Sequence, residues 1–159
     1  PHVRPLHRLV TADHEAVERA MARAGITGFA DRMLTTLSGG ELQRVQIAIG
    51  LAQETPVLIA DEPTSALDLG ATAGLARLLR DLVQHHGMAV VLVVHDLALA
   101  AAVADRVVVV SDGRTVAAGA PADVLTRERL SDVWQVDAAL EGEGSRTALH
   151  VDWLASATT

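Results

Sequence analysis

Apolar and polar positions alternate along this chain with two periods, and the switches between them predict its elements. Residues Pro1–Val10 have no clear period, and Pro1 and Pro5 oppose a helix. From Thr11 a helix is expected. Val17, Ala20, Met21 and Ala24 form one stripe, Glu15 and Arg19 make an i,i+4 pair, and Gly25 suits a C-terminal stop. A loop runs from Gly28 to Thr36, and a second helix from Ser38 to about Gln53. After Pro56 the run Val57–Ala60 has the short apolar character of a buried strand. It ends at Asp61-Glu62, because Pro63 turns the preceding residue away from helical geometry.

A third helix is expected from Gly70 to His86, with Leu75, Leu78, Leu79, Leu82 and Val83 on one stripe and Gly87 as its stop. A strand (Met88–Val94), a helix (Leu97–Ala104) and a strand (Arg106–Ser111) follow. Asp112-Gly113 is a two-residue hairpin turn returning through Arg114–Ala118. Short helices are expected at Ala122–Leu125 and Glu128–Trp134. Strands near Val136–Leu140 and Thr147–Trp153 would be joined by a turn at Gly142 and Gly144, with Glu141 and Glu143 solvated there. Trp134 and Trp153 read as packing residues of this tail. Strand–helix alternation from 57 to 111 predicts an α/β domain with a largely parallel sheet flanked by helices.

Composition narrows the function. Half the residues are apolar but only Phe29, Trp134 and Trp153 are aromatic, so the core is aliphatic. The net charge is -7 and no basic cluster stands out, which argues against nucleic acid as a partner. There is no Cys, hence no disulfide, thiolate site or Cys nucleophile. No apolar run reaches the roughly 18 residues of a spanning helix. All 13 basic residues are Arg.

Three places carry chemistry. In Leu37-Ser38-Gly39-Gly40-Glu41-Leu42-Gln43-Arg44, Ser38 and Glu41 have capping-box spacing, which by itself only starts a helix. The two glycines in the first turn each cost roughly 1 kcal/mol against Ala. They suit a close approach to the backbone, and a helix start with bare N–H groups suits a phosphate. Asp61-Glu62 ends an apolar strand. The pair is either two solvated acids, or one Mg²⁺ holder (through water) beside one residue that activates a water. In Val94-His95-Asp96, Asp96 caps the next helix. His95 is structural or, at a strand's C-terminal end where such sheets bind ligands, functional. His85-His86 reads as a pair favourable to a helix C-terminus rather than a metal site.

Taken together, these segments resemble the ABC ATPase family over residues 1 to about 130. Leu37–Gln43 is similar to its signature motif, Val57–Glu62 to its Walker B strand, Ser65-Ala66-Leu67-Asp68 to its D-loop, and His95 to its switch histidine. The fold implied is part of a P-loop NTPase (ABC ATPase). It would comprise a partial helical signature subdomain at 1–55, an α/β core portion at 56–120, and C-terminal helices and tail at 121–159. The resemblance implies ATP and Mg²⁺ as cofactors. Asp61 would hold the Mg²⁺ shell, Glu62 would be the general base, and His95 would contact the γ-phosphate. Ser38, Gly39 and Gly40, with Gln43, would bind nucleotide held by a second ATPase subunit in a head-to-tail dimer, and Asp68 would couple the two sites. Ile49 stands where the family usually has Arg, a change expected to alter salt bridging rather than chemistry.

The phosphate loop G-x-x-x-x-G-K-[ST] cannot occur in a chain without Lys. In the family that loop, the adenine-stacking aromatic and the glutamine loop belong upstream of residue 1. These 159 residues are therefore expected to be a C-terminal part of the subunit, with negligible ATP turnover alone and an aggregation-prone strand edge. Pro1-His2, Ala30-Asp31-Arg32, Leu51-Ala52-Gln53 and the segment from Asp112 to Leu125 resemble importer ATPases for ferric siderophores, haem or cobalamin. Such a subunit lies on the cytoplasmic face of the membrane, bound to permease subunits and indirectly served by a substrate-binding protein. Two alternatives are a soluble ABC ATPase of DNA repair or translation, and a non-catalytic regulatory half-domain.

Overall fold

The computed structural model describes residues 11–142 and 146–154, so Pro1, His2, Pro5, Glu143 and Gly144 lie outside the described residues. The chain forms two compact units, one up to Val94 and one from His95.

In the first unit, α1 (Thr11–Ala24) ends at Gly25, whose φ of +68° favours glycine. Its buried line is Asp13, Ala16, Ala20 and Ala24, while Val17 is exposed. The expected stripe is thus rotated by about one residue, because small side chains let α1 close against α2. The loop that follows contains two short 3-10 turns, Thr27–Phe29 and Leu34–Thr36. Next come α2 (Gly39–Leu51), β1 (Val57–Asp61), α3 (Leu69–His86) and β2 (Ala89–Val93).

β1 and β2 pair in parallel, Val57 opposite Ala89 and Asp61 opposite Val93, with α3 as the crossover between them. Gly87 (φ +63°) closes α3, and the Ala89 N–H bonds the Pro56 carbonyl to start the pair. The core is aliphatic: Ala20, Ala24 and Ile26 meet Ile47, Leu51, Leu58 and Ala60, and α3 adds Leu75, Leu78, Leu79 and Leu82.

The sheet is buried on one face only. Leu58 and Ala60 point into the core, whereas Val57, Ile59, Val91 and Val93 are exposed, Ile59 by 71%. Val57–Ala60 is therefore half-buried, not fully buried as its apolar run suggested. Parallel sheets are ordinarily covered on both faces, and the described residues of this unit supply helices to one.

In the second unit, α4 (Leu97–Val103) is capped by Asp96. β3 (Val107–Ser111) and β4 (Arg114–Gly119) form an antiparallel hairpin with a bulge at Val109/Val110. Its turn residues Asp112 (φ +49°) and Gly113 (φ +72°) both have positive φ, as a tight hairpin turn requires. α5 (Pro121–Val124) and α6 (Arg127–Trp134) precede a second hairpin, β5 (Asp137–Glu141) with β6 (Ala148–Asp152). At Gly142 (φ +89°) a Cβ would stand 2.6 Å from the Arg146 carbonyl oxygen, so the turn admits only glycine.

Ala101, Val109, Val124, Leu125, Leu130 and Ala138 form this unit's core. Trp153, expected to pack, is 83% exposed. The parallel pairing inferred from strand–helix alternation is β1–β2. The two other pairs are antiparallel because short turns can join only antiparallel neighbours. Among the described residues, no helix is long and apolar enough to cross a membrane.

Candidate functional site

The first unit brings three of the singled-out segments together. Ser38 is extended (φ -66°, ψ 164°) and caps α2. Its Oγ accepts from the Glu41 N–H at 3.3 Å, and Glu41 Oε2 accepts from the Ser38 N–H at 2.7 Å. The capping box read from the spacing is therefore formed in both directions. The Glu41 carboxyl is held below its ordinary value, first by the Ser38 N–H, then by the Ser38 hydroxyl, with the Arg32 guanidinium adding to both. Ser38 and Gly39 are exposed, and Gln43 lies half-buried on α2.

The glycines differ in what surrounds them. A Cβ at Gly39 would meet the Ala66 carbonyl and Leu67 Cδ2 at 3.8 Å, an ordinary contact. At Gly40 it would stand 2.9 Å from the Cβ of Ala71. Gly40 thus also gives room to α3.

The segment joining β1 to α3 passes beside Gly39. Asp61 ends β1 and Glu62 departs from the strand at φ +44°, a left-handed conformation uncommon outside glycine. The Glu62 N–H still bonds the Val93 carbonyl at 2.8 Å. The Glu62 carbonyl accepts from the Ser65 N–H at 3.2 Å and from Ser65 Oγ at 3.1 Å. Leu67 N–H bonds Thr64, and Asp68 Oδ1 accepts from the Ala71 N–H at 2.7 Å, so Asp68 is the N-cap of α3. Pro63 is buried and holds the bend, while Asp61 and Glu62 are exposed. Their carboxylate oxygens suit a hard cation that keeps water and substrate phosphates among its ligands.

His95 belongs to the second unit. It is exposed and immediately precedes Asp96, whose Oδ1 accepts from the Leu99 N–H at 2.9 Å. His85 Nδ1 lies 2.8 Å from Asp81 Oδ1, and His86 Nε2 lies 3.6 Å from Asp81 Oδ2, so both rings engage the same carboxylate. Ile49 is exposed.

Two arginines inside quoted segments, Arg32 and Arg44, were given no role from the sequence. Half-buried Arg44 donates from Nη1 to the Ala24 carbonyl at 3.0 Å and from Nη2 to the Gly74 carbonyl at 3.2 Å, tying α2 to α1 and α3. Arg32 binds Glu41 Oε1 from Nη1 at 3.0 Å and the Thr36 carbonyl from Nη2 at 3.0 Å. Its Cζ lies 5.2 Å from the centre of the Phe29 ring. Neither residue has a periodic or capping signature, because the partners are carbonyls and a loop-borne contact.

The ABC transporter family profile matches residues 2–65. The chain is 52% identical over 122 residues to the hemin import ATP-binding protein HmuV of Rhodococcus jostii, covering 77% of this chain and 41% of that protein. It is 44% identical over 147 residues to the cobalamin import ATP-binding protein BtuD of Halobacterium salinarum, covering 92% of this chain and 37% of that protein. The chain thus spans less than half the length of these curated relatives. A solved metal-chelate type ABC transporter in an inward-facing conformation superposes with a TM-score of 0.83 at 28% identity, over 94% of this chain and 60% of that one.

Proposed function

The chain belongs to the ABC transporter family of ATP-binding domains, and on that premise we propose that it is the signature-bearing part of an importer's ATPase subunit. The complete subunit would couple ATP hydrolysis to uptake of haem, cobalamin or an iron chelate; relatives are named for import of hemin and cobalamin and for transport of ferric enterobactin. It would sit on the cytoplasmic face of the membrane against permease subunits, paired head-to-tail with a second ATPase subunit and served by a substrate-binding protein.

One observation carries the reading: the end of β1, the turn after it and the start of α2 are a single connected surface. Glu62 is bonded to Ser65, Asp68 starts α3, and Ala66 and Leu67 border Gly39. A residue that activates water and a helix start that receives a phosphate from another subunit would then move as one body.

Glu62 is the general base in this reading, taking the proton of the attacking water at its carboxylate. Its left-handed backbone turns it out of the strand, and Pro63 with the Ser65 bonds fixes the turn. Asp61 would hold the shell of a Mg²⁺ ion, which supplies positive charge to the nucleotide's phosphates. Ser38, Gly39 and Gly40, with Gln43, would bind the terminal phosphate of nucleotide held by the opposite subunit. The Ser38 hydroxyl and the α2 start would be the donors. His95 would contact the terminal phosphate of the nucleotide held by its own subunit, and Asp68 would link the paired sites.

The test is ATP hydrolysis by the full-length subunit assembled with its permease, beside Glu62→Gln. Loss of the base is expected to lower turnover on the order of 10²–10⁴-fold. An assembled wild-type protein that does not hydrolyse ATP would sink the reading.

A further inference from the structure

The start of α2 carries an electrostatic conflict. A turn proposed to receive a phosphate also holds the Glu41 carboxylate, and that carboxylate occupies the Ser38 N–H at 2.7 Å. Like charges at one helix start oppose each other and offset the anion preference of the bare N–H groups. The carboxyl is also held below its ordinary value, so it is charged at neutral pH.

Arg32 faces this carboxylate from the preceding loop. Its Nη1 is 3.0 Å from Glu41 Oε1, so one Glu41 oxygen is given to Arg32 and the other to the Ser38 N–H. The guanidinium is not loosely placed. Nη2 donates to the Thr36 carbonyl at 3.0 Å, one residue before the signature segment begins at Leu37. Its Cζ lies 5.2 Å from the ring centre of Phe29, which packs against the first unit's core. A cation over an aromatic face, bonded to a carbonyl and a carboxylate, is fixed in direction as well as position.

We infer that Arg32 is a positioning residue for the signature turn: by neutralising Glu41 and holding its carboxylate onto the Ser38 N–H, it leaves the Ser38 hydroxyl and the Gly39–Gly40 backbone able to accept a nucleotide's terminal phosphate. The inference rests on the proposed function, because the phosphate is that reading's ligand. It assigns Arg32 a task that exists only because residue 41 is Glu. With a neutral amide there, the capping geometry would carry no charge to cancel.

The test uses the full-length subunit with its permease in four forms: wild type, Arg32→Ala, Glu41→Gln and the double variant. The readouts are KM for ATP, kcat and their dependence on salt. Arg32→Ala is expected to raise KM roughly tenfold, the size of effect one nearby charge has on an ionisation equilibrium. The effect should shrink as salt screens exposed charges. Arg32→Lys should restore most of it. In the Glu41→Gln background, Arg32→Ala should change KM less than about twofold, because no charge is left to neutralise.

Equal losses in both backgrounds would overturn the inference, since Arg32 would then only brace Phe29 and Thr36. No loss in either would do the same. Should Arg32→Ala not fold, Arg32→Gln, which keeps an amide donor and drops the charge, is put through the same cycle. A wild-type protein without ATPase activity would instead fell the functional reading and this inference with it. An active wild type with a flat cycle fells only the inference.

Discussion

Gly40 and Ala71 meet where α2 and α3 begin, so closely that a Cβ on Gly40 would lie 2.9 Å from the Cβ of Ala71. The two helices that start at the site are therefore set against each other by the absence of one methyl group. Gly39, one residue earlier, has ordinary clearance at 3.8 Å and an exposed surface. Of two adjacent glycines, one serves packing and the other is open to solvent.

Gly40→Ala is accordingly expected to destabilise the fold by about 1–3 kcal/mol through overpacking. The roughly 1 kcal/mol which Ala gains over Gly in a helix offsets part of that overpacking and leaves a net loss of up to about 2 kcal/mol. Ala71→Gly in the same protein should recover most of it. Gly39→Ala, with nothing to overpack, should instead gain up to about 1 kcal/mol. Urea midpoints of the three variants beside wild type decide the matter, and a Gly40→Ala variant that gained the full helix increment of about 1 kcal/mol would contradict the close contact.

The capping box makes one part of stability depend on pH. The folded Glu41 carboxyl titrates below its ordinary 4.5, chiefly through the Ser38 N–H. A group lowered on folding stabilises above its unfolded value, and that contribution is lost as pH falls through the lowered one. The α2 start should therefore be fully supported at neutral pH and weaken below about pH 4.5. In Glu41→Gln this portion of the acid limb should be missing from a stability–pH curve. Ser38→Ala should cost about 1 kcal/mol at neutral pH.

Arg44 holds three helices through two carbonyls, Ala24 at the end of α1 and Gly74 within α3. Arg44→Met keeps the apolar stem and removes both bonds, with an expected cost on the order of 2–3 kcal/mol. Arg44→Lys should recover only part, since an ammonium lacks the fork that reaches both oxygens. Equal denaturation midpoints for wild type and Arg44→Met would show that the guanidinium contributes nothing.

Glu62 stands at φ +44° without being glycine. Relieving that backbone should make Glu62→Gly more stable, by up to about 1 kcal/mol once glycine's extra chain entropy is subtracted. The same change removes the carboxylate that the proposed function requires. A higher melting temperature with lost ATP turnover in the full-length subunit is the expected pair of results. A lower melting temperature would mean that the Glu62 side chain stabilises the turn more than its backbone strains it.

Much of this fold was legible in the residues alone, because the deciding interactions lie within a turn of one another. Ser38 with Glu41, Asp96 with Leu99, Gly25 and Gly87 after their helices, and the Asp112-Gly113 turn all follow from local donors, acceptors and φ preferences. The signature-like, Walker B-like and D-loop-like segments were legible for the same reason. Each is a short run recognisable by its residue types and their order alone.

What the tertiary structure alone decided depends on residues distant along the chain. The α1 stripe turned toward Ala16 and Asp13 because α2 meets that face, and no period within α1 reports where a neighbour stands. Asp68, read as a nucleotide-site residue that couples the paired sites, also caps α3. Arg44 found carbonyls 20 and 30 positions away, and Gly40 owes its missing side chain to Ala71. Likewise β1 has one buried face because the described helices of its unit cover only that side. Periodicity and capping are properties of one segment. Clearance, pairing and coverage are properties of two, and only their meeting in space determines them.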